Sequence, residues 1–98
     1  MQITYKSRKL EKICTSRYEA EKQYNSEMAQ KLQLRINQIA AAENVEIMVR
    51  YKIGRCHPLL GNRKGQYAVD LVQPFRLVFE QIGAEIRIAN ILEIVDYH

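Results

Sequence analysis

The spacing of the apolar residues changes period partway along the chain, and that change constrains the fold more than any other feature. Met28, Leu32, Ile36 and Ile39 recur at i, i+4, i+8 and i+11, the row that one face of an α-helix buries. Lys31, Arg35 and Gln38 fall largely on the other side. Asn25 and Ser26 are cap candidates for this helix, with Glu27 in its first turn, where a carboxylate meets the positive end of the helix dipole. Ala40 to Ala42 extend it, and Asn44 marks its expected end. After Gly65 the period becomes two. Tyr67, Val69 and Leu71 alternate with Gln66, Ala68 and Asp70, and Phe75, Leu77 and Phe79 alternate with Arg76, Val78 and Glu80. Gln73-Pro74 and Ile82-Gly83-Ala84 are turns, and Ile86, Ile88 and Ile94 belong to a last strand ending near Val95. A chain with helical spacing first and strand spacing afterwards must pack one layer against the other.

The remaining segments complete the layout. Ile3 and Tyr5 alternate with polar neighbours, which suits a short first strand. Leu10, Ile13 and Cys14 then adopt helical spacing; Thr15-Ser16 interrupts it, and helix resumes from Tyr18 to Tyr24. Val45 to Tyr51 fits a short helix or a strand equally well. Gly54, Pro58, Gly61 and Gly65 punctuate a loop-rich stretch, within which Cys56 to Leu60 forms a short strand. The expectation is one α+β domain over residues 1–98. An N-terminal strand leads into two helices packed on one face of a small antiparallel sheet, in the order β-α-α-β-β-β-β. The other face of the sheet stays open.

With 98 residues, 47% hydrophobic and 27% charged, the chain reads as globular and long enough for one core. No apolar run approaches a membrane span, and the first residues lack a basic region followed by an apolar stretch, so a cytoplasmic location is expected. Cys14 and Cys56 are far apart and outside any CxxC pair, which favours free, partly buried thiols over a bridge. His57 and His98 complete no recognisable metal-ligand spacing, so neither metal nor cofactor is expected. The formal charge is +4, but its distribution says more. From Ile47 to Val69 there is no acidic residue, while Arg50, Lys52, Arg55, Arg63 and Lys64 all fall in that window. Such a patch attracts a phosphate backbone or an acidic partner.

Four blocks carry a resemblance. They are Arg55-Cys56-His57-Pro58-Leu59-Leu60-Gly61, Lys64-Gly65-Gln66-Tyr67-Ala68-Val69, Phe75-Arg76-Leu77-Val78-Phe79, and the terminal Val95-Asp96-Tyr97-His98. Together with the layout, they resemble the HigB group of the RelE/ParE toxins, over nearly the whole chain. The resemblance implies a ribosome-dependent endoribonuclease that cuts translated mRNA and arrests growth. It also implies neutralisation by a small antitoxin with a helix-turn-helix, through which alone operator DNA is bound. Two positions depart from the family: Leu60 stands where many members carry a lysine, and Asp70 where many carry an arginine. These losses fit a catalytically weakened, antitoxin-binding homologue, and ParE-like relatives of the same fold inhibit DNA gyrase without nuclease chemistry.

Cleavage by attack of the 2′-hydroxyl needs a base, cationic donors for the phosphate and an acid for the leaving 5′-oxygen. Arg76 is the choice for the phosphate, because its planar fork suits phosphate oxygens and it is out of phase with Phe75, Leu77 and Phe79. If it has no such role, Glu80 or Glu93 is its expected ion-pair partner. His98 is the titrating group expected to move protons, Tyr97 to stack on a base or donate a hydrogen bond, and Asp96 to orient or hold a proton. Lys52, Arg55, His57, Arg63 and Lys64 are the expected RNA-binding residues.

Overall fold

The computed structural model describes residues 1–97. Strand β1 (Gln2–Tyr5) leads into four helices: α1 (Arg8–Thr15), α2 (Arg17–Gln23), α3 (Ser26–Ala41) and α4 (Val45–Arg50). Strands β2 (His57–Pro58), β3 (Gln66–Asp70), β4 (Phe75–Ile82) and β5 (Ile88–Asp96) follow, with short 3-10 turns on either side of β2. The sheet order is β1-β5-β4-β3-β2. β2 to β5 form the expected antiparallel meander, and β1 joins it at the far edge, parallel to β5.

The first helical segment breaks at Ser16, where Thr15-Ser16 was expected to interrupt it, and α4 is added after α3; the caps explain each break. Ser16 closes α1 by donating its N–H to the Lys12 carbonyl at 2.9 Å, and opens α2 by accepting from the Glu19 N–H at 3.3 Å. Asn25 caps α3 through the Met28 N–H at 2.8 Å, as its sequence suggested. Asn44 does not simply end α3: its side chain accepts from the Ile47 N–H at 2.9 Å and so starts α4, which settles the ambiguous Val45–Tyr51 stretch as helix. The Val45 N–H donates to Gln81 Oε1 at 2.8 Å, which ties this short helix to β4.

Leu10, Ile13, Met28, Leu32, Ile39, Val45 and Met48 from the helices bury against Val69, Leu77, Phe79, Ala89 and Ile91 from the sheet. Burial of each large side chain contributes about 1.5–3 kcal/mol, so this single interface supplies most of the favourable energy. Ile36 is only half-buried at its edge. Cys14 and Cys56 are free and buried in this core, and burial pushes both thiols up to about 12. β5 begins at Ile88, so Ile86, expected in the strand, lies exposed in the preceding turn. A bulge between Val78 and Phe79 offsets the β4–β5 register: Val78 stands opposite Glu93, and Phe79 opposite Ile91. Phe79 and Ile91 thus stay in the core beside the helices, while Val78 lies outside that cluster. No helix among the described residues is long and apolar enough to cross a membrane.

Candidate functional site

Strand alternation decides which side chains reach the open face. β3 and β4 pair Gln66 with Glu80, Ala68 with Val78, and Asp70 with Arg76. β2 adds His57 opposite Ala68, and β5 adds Glu93 opposite Val78 and Val95 opposite Arg76. Cross-strand partners share a face, so one row crosses the sheet as His57, Ala68, Val78, Glu93. The next carries Asp70, Arg76 and Val95.

Beside these rows lies an open concavity of about 600 Å³, lined by Val49, Lys52, Arg55, Cys56, His57 and Arg76. It gathers four of the residues singled out by sequence: Lys52, Arg55 and His57 from the basic window, and Arg76 from β4. The Arg76 guanidinium carbon sits 4.8 Å from the centre of the Tyr97 ring, a cation–π contact that brings in a fifth. The Tyr97 N–H donates to the Pro74 carbonyl at 2.9 Å and pins the end of β5 beside β4. Asp96 pairs in register with Phe75 at that end of the sheet. His98 lies outside the described residues.

The ion pairing differs from the expectation. Arg76 pairs with neither Glu80 nor Glu93. Its Nε lies 3.3 Å from Asp70 Oδ1, and Arg55 Nε lies 3.3 Å from Asp70 Oδ2. One carboxylate therefore bridges the two arginines. Glu93 instead holds Arg63, at 3.2 Å, and Arg63 also donates to Gln66 Oε1 at 2.9 Å. Glu80 accepts from Asn90 Nδ2 at 3.0 Å, and Thr4 donates to Asn90 Oδ1 at 2.9 Å. Arg63 thus lies outside the group lining the concavity, and Lys64 is exposed beyond it. The register explains the choice of partner: Asp70 faces Arg76 directly across β3 and β4, whereas Glu80 is four residues further along the strand.

The loop that delivers Arg55 is strained. Lys52 (φ 53), Gly54 (φ 60) and Arg55 (φ 57) all adopt left-handed backbone, at a cost of about 1–2 kcal/mol for each non-glycine residue. Buried Cys56 and two backbone bonds, Arg55 N–H to Lys52 and Cys56 N–H to Ile53, both at 3.0 Å, hold the loop in place. Such outliers persist only where surrounding structure over-determines them, and they cluster at functional sites. Arg35, from α3, donates from Nε to the Asp70 backbone carbonyl at 2.6 Å and packs over Gly54. It fastens the loop and β3 to the helical layer. Nothing in its sequence context separates Arg35 from an ordinary helix-surface arginine. Asp70, by contrast, is visible as the charged member of the open-face phase of β3.

His57 Nδ1 lies 3.0 Å from the Arg55 carbonyl oxygen. A proton on Nδ1 satisfies that contact and leaves Nε2 as the acceptor of a neutral ring. Three cations against one carboxylate leave the concavity net positive. Guanidinium and ammonium donors there are suited to a phosphate group, and the imidazole to proton transfer. Among the described residues, no cluster of His, Cys, Asp and Glu could hold a metal ion.

No protein-family model matches the chain, and neither does any curated protein sequence. Among solved structures, the chain is similar to the YoeB/ParE toxin from Agrobacterium tumefaciens, with a TM-score of 0.62 and 16% sequence identity over the whole of both chains. At that identity the likeness speaks for the architecture: the chain has the α+β fold of a toxin of the YoeB/ParE type.

Proposed function

We propose that this protein is the toxin of a toxin–antitoxin pair and that it is an endoribonuclease acting on translated mRNA at the ribosome, in the manner of the HigB group. One observation carries the reading. Lys52, Arg55 and His57 from one short segment line a single concavity together with Arg76 from β4, with Val49 of α4 at its border. The reaction is attack of a ribose 2′-oxygen on the adjacent phosphorus, with departure of the 5′-oxygen. It leaves a 2′,3′-cyclic phosphate and a free 5′-hydroxyl. Arg76 carries the growing phosphate charge, with Tyr97 against its guanidinium. Asp96, Tyr97 and His98 serve proton transfer and base stacking, and His57 lends a second imidazole. Lys52, Arg55, Arg63 and Lys64 hold the RNA backbone. No metal enters this route. The partners are a small helix-turn-helix antitoxin, the ribosome and mRNA, and the site of action is the cytosol.

A second reading is favoured by the Asp70 bridge. A carboxylate that engages both arginines suits an antitoxin-binding homologue with weakened chemistry, or a toxin of the gyrase-inhibiting kind. Primer extension on a defined mRNA, with and without ribosomes, separates these readings. Cuts within the translated region that require ribosomes support the nuclease, and Arg76→Ala should remove them. Intact messages together with altered plasmid supercoiling would move the assignment to gyrase.

A further inference from the structure

We propose that Asp70 is an anion latch: its carboxylate sits in the seat of an RNA phosphate between Arg55 and Arg76, and the substrate must displace it. This deepens the nuclease reading and rests on it. Each carboxylate oxygen takes the Nε of a different arginine, both at 3.3 Å. Two non-bridging phosphate oxygens would engage the same pair of guanidinia in the same way. At 3.3 Å both contacts are long where charge-assisted pairs of this kind run shorter. The Arg55 side chain is 79% exposed, so hydration and salt weaken its hold on Asp70. Asp70 itself is only 14% exposed, and its backbone is fixed independently, by the Arg35 bond to its carbonyl and by pairing with β4. The guanidinia can therefore exchange partners while the strand stays in place.

The latch sets which RNA is bound. A free strand competes with a carboxylate already at hydrogen-bonding range and binds weakly. RNA presented on a docked surface has a high effective concentration at the site and displaces it.

The test compares wild type with Asp70→Asn, which keeps shape and hydrogen bonding but removes the charge. The ligand is a short 2′-O-methyl oligoribonucleotide, which binds without being cut. Fluorescence anisotropy should show the Asn variant binding roughly five- to tenfold more tightly, the effect of one unit charge removed beside a bound anion in a hydrated site. In wild type, the Nε–H resonances of Arg55 and Arg76 should move as the oligonucleotide is added. Equal or weaker binding by a folded Asn variant overturns the latch, and weaker binding would make Asp70 a residue that positions the arginines. Should that variant not fold, the wild-type titration decides alone: unmoved Nε–H signals at saturation overturn the proposal. Ribosome-bound mRNA cleavage is read in parallel. Tighter binding without any cleavage keeps the latch and removes the nuclease reading. Cleavage by wild type without tighter binding by the variant does the reverse.

Discussion

Replacing Gly54 with alanine tests whether Arg35 and the left-handed loop form one mechanical unit. Gly54 has φ +60, and a Cβ built there would lie 2.9 Å from Arg35 Nε and 3.0 Å from its Cδ. Left-handed backbone costs alanine about 1–2 kcal/mol, partly offset by about 0.4–1 kcal/mol from a less flexible unfolded chain. The side-chain end of an arginine would ordinarily move aside cheaply. This one is held at Nε by the Asp70 carbonyl, at 2.6 Å, and at Nη1 by Gln38 Oε1, at 2.9 Å. Displacing it forfeits part of a charge-assisted bond worth about 1.5–3 kcal/mol. The expected cost of Gly54→Ala is about 2–3 kcal/mol, which in a domain this size lowers Tm by roughly 10–20 °C. Urea unfolding of Gly54→Ala, Arg35→Met and the double variant gives the coupling. With Arg35 replaced, the alanine should cost only its backbone share, about 1 kcal/mol, so the coupling should be about 1–2 kcal/mol. The same cost in both backgrounds would refute the linkage and leave backbone strain as the whole effect.

Three further outcomes are expected. Arg63→Ala with Lys64→Ala should make ribosome binding less sensitive to salt, by up to one phosphate contact for each cation lost; a salt slope equal to wild type would remove both residues from the RNA path. Burial raises the thiols of Cys14 and Cys56 from 9.0 to about 12, so the folded protein holds those protons more tightly than the unfolded chain. Their contribution to stability is complete below pH 9 and is lost as pH climbs toward 12, with Tyr5, also raised to about 12, adding in the same direction. Thermal melts between pH 8 and pH 11 should therefore fall steadily, and Cys14→Ala with Cys56→Ala should flatten that fall, whatever fixed stability the two cavities remove. Deleting residues 97–98 should abolish mRNA cleavage and lower stability by only about 1–2 kcal/mol, since Tyr97 contributes one backbone hydrogen bond and one cation–π contact among the described residues. A folded, truncated protein that cuts mRNA at the wild-type rate would shift attention to His57.

The meander and the long helix were legible because their signals are local. Alternation over residues 66–71 and 75–80 fixes which side chains share a face, and the row Met28, Leu32, Ile39 fixes the buried side of α3. Val45–Arg50 was not legible, since six residues rich in apolar side chains satisfy both periods; the Asn44 cap and the Gln81 bond to Val45 decide it. The parallel pairing of β1 with β5 joins residues at opposite ends of the chain and leaves no local trace. At the site, the phase of Arg76 could be read from the strand, but its partner could not. That choice depends on the β3–β4 register, which pairs Arg76 with Asp70 and moves Glu80 away to Gln66. The left-handed conformations of Lys52 and Arg55 were equally hidden, because only Gly54 carries a sequence sign of them.

Register also changes what the basic window means. In sequence, residues 47–69 hold five cations and no acid, which suggests a continuous positive strip. In the folded chain, acids from beyond the window come to lie against it. Asp70 neutralises part of Arg55, and Glu93, brought in by β5, neutralises part of Arg63. Among the described residues, no ion pair forms to Lys52 or Lys64. The strip therefore breaks into separate spots. Of the two unpaired lysines, only Lys52 lines the concavity with Arg55 and Arg76. Concave walls focus a field that a flat surface disperses into solvent. On the proposed reading, a phosphate approaching the sheet is drawn to the place where Arg55 and Arg76 converge on one carboxylate, and binding there turns on the exchange of that carboxylate for the phosphate.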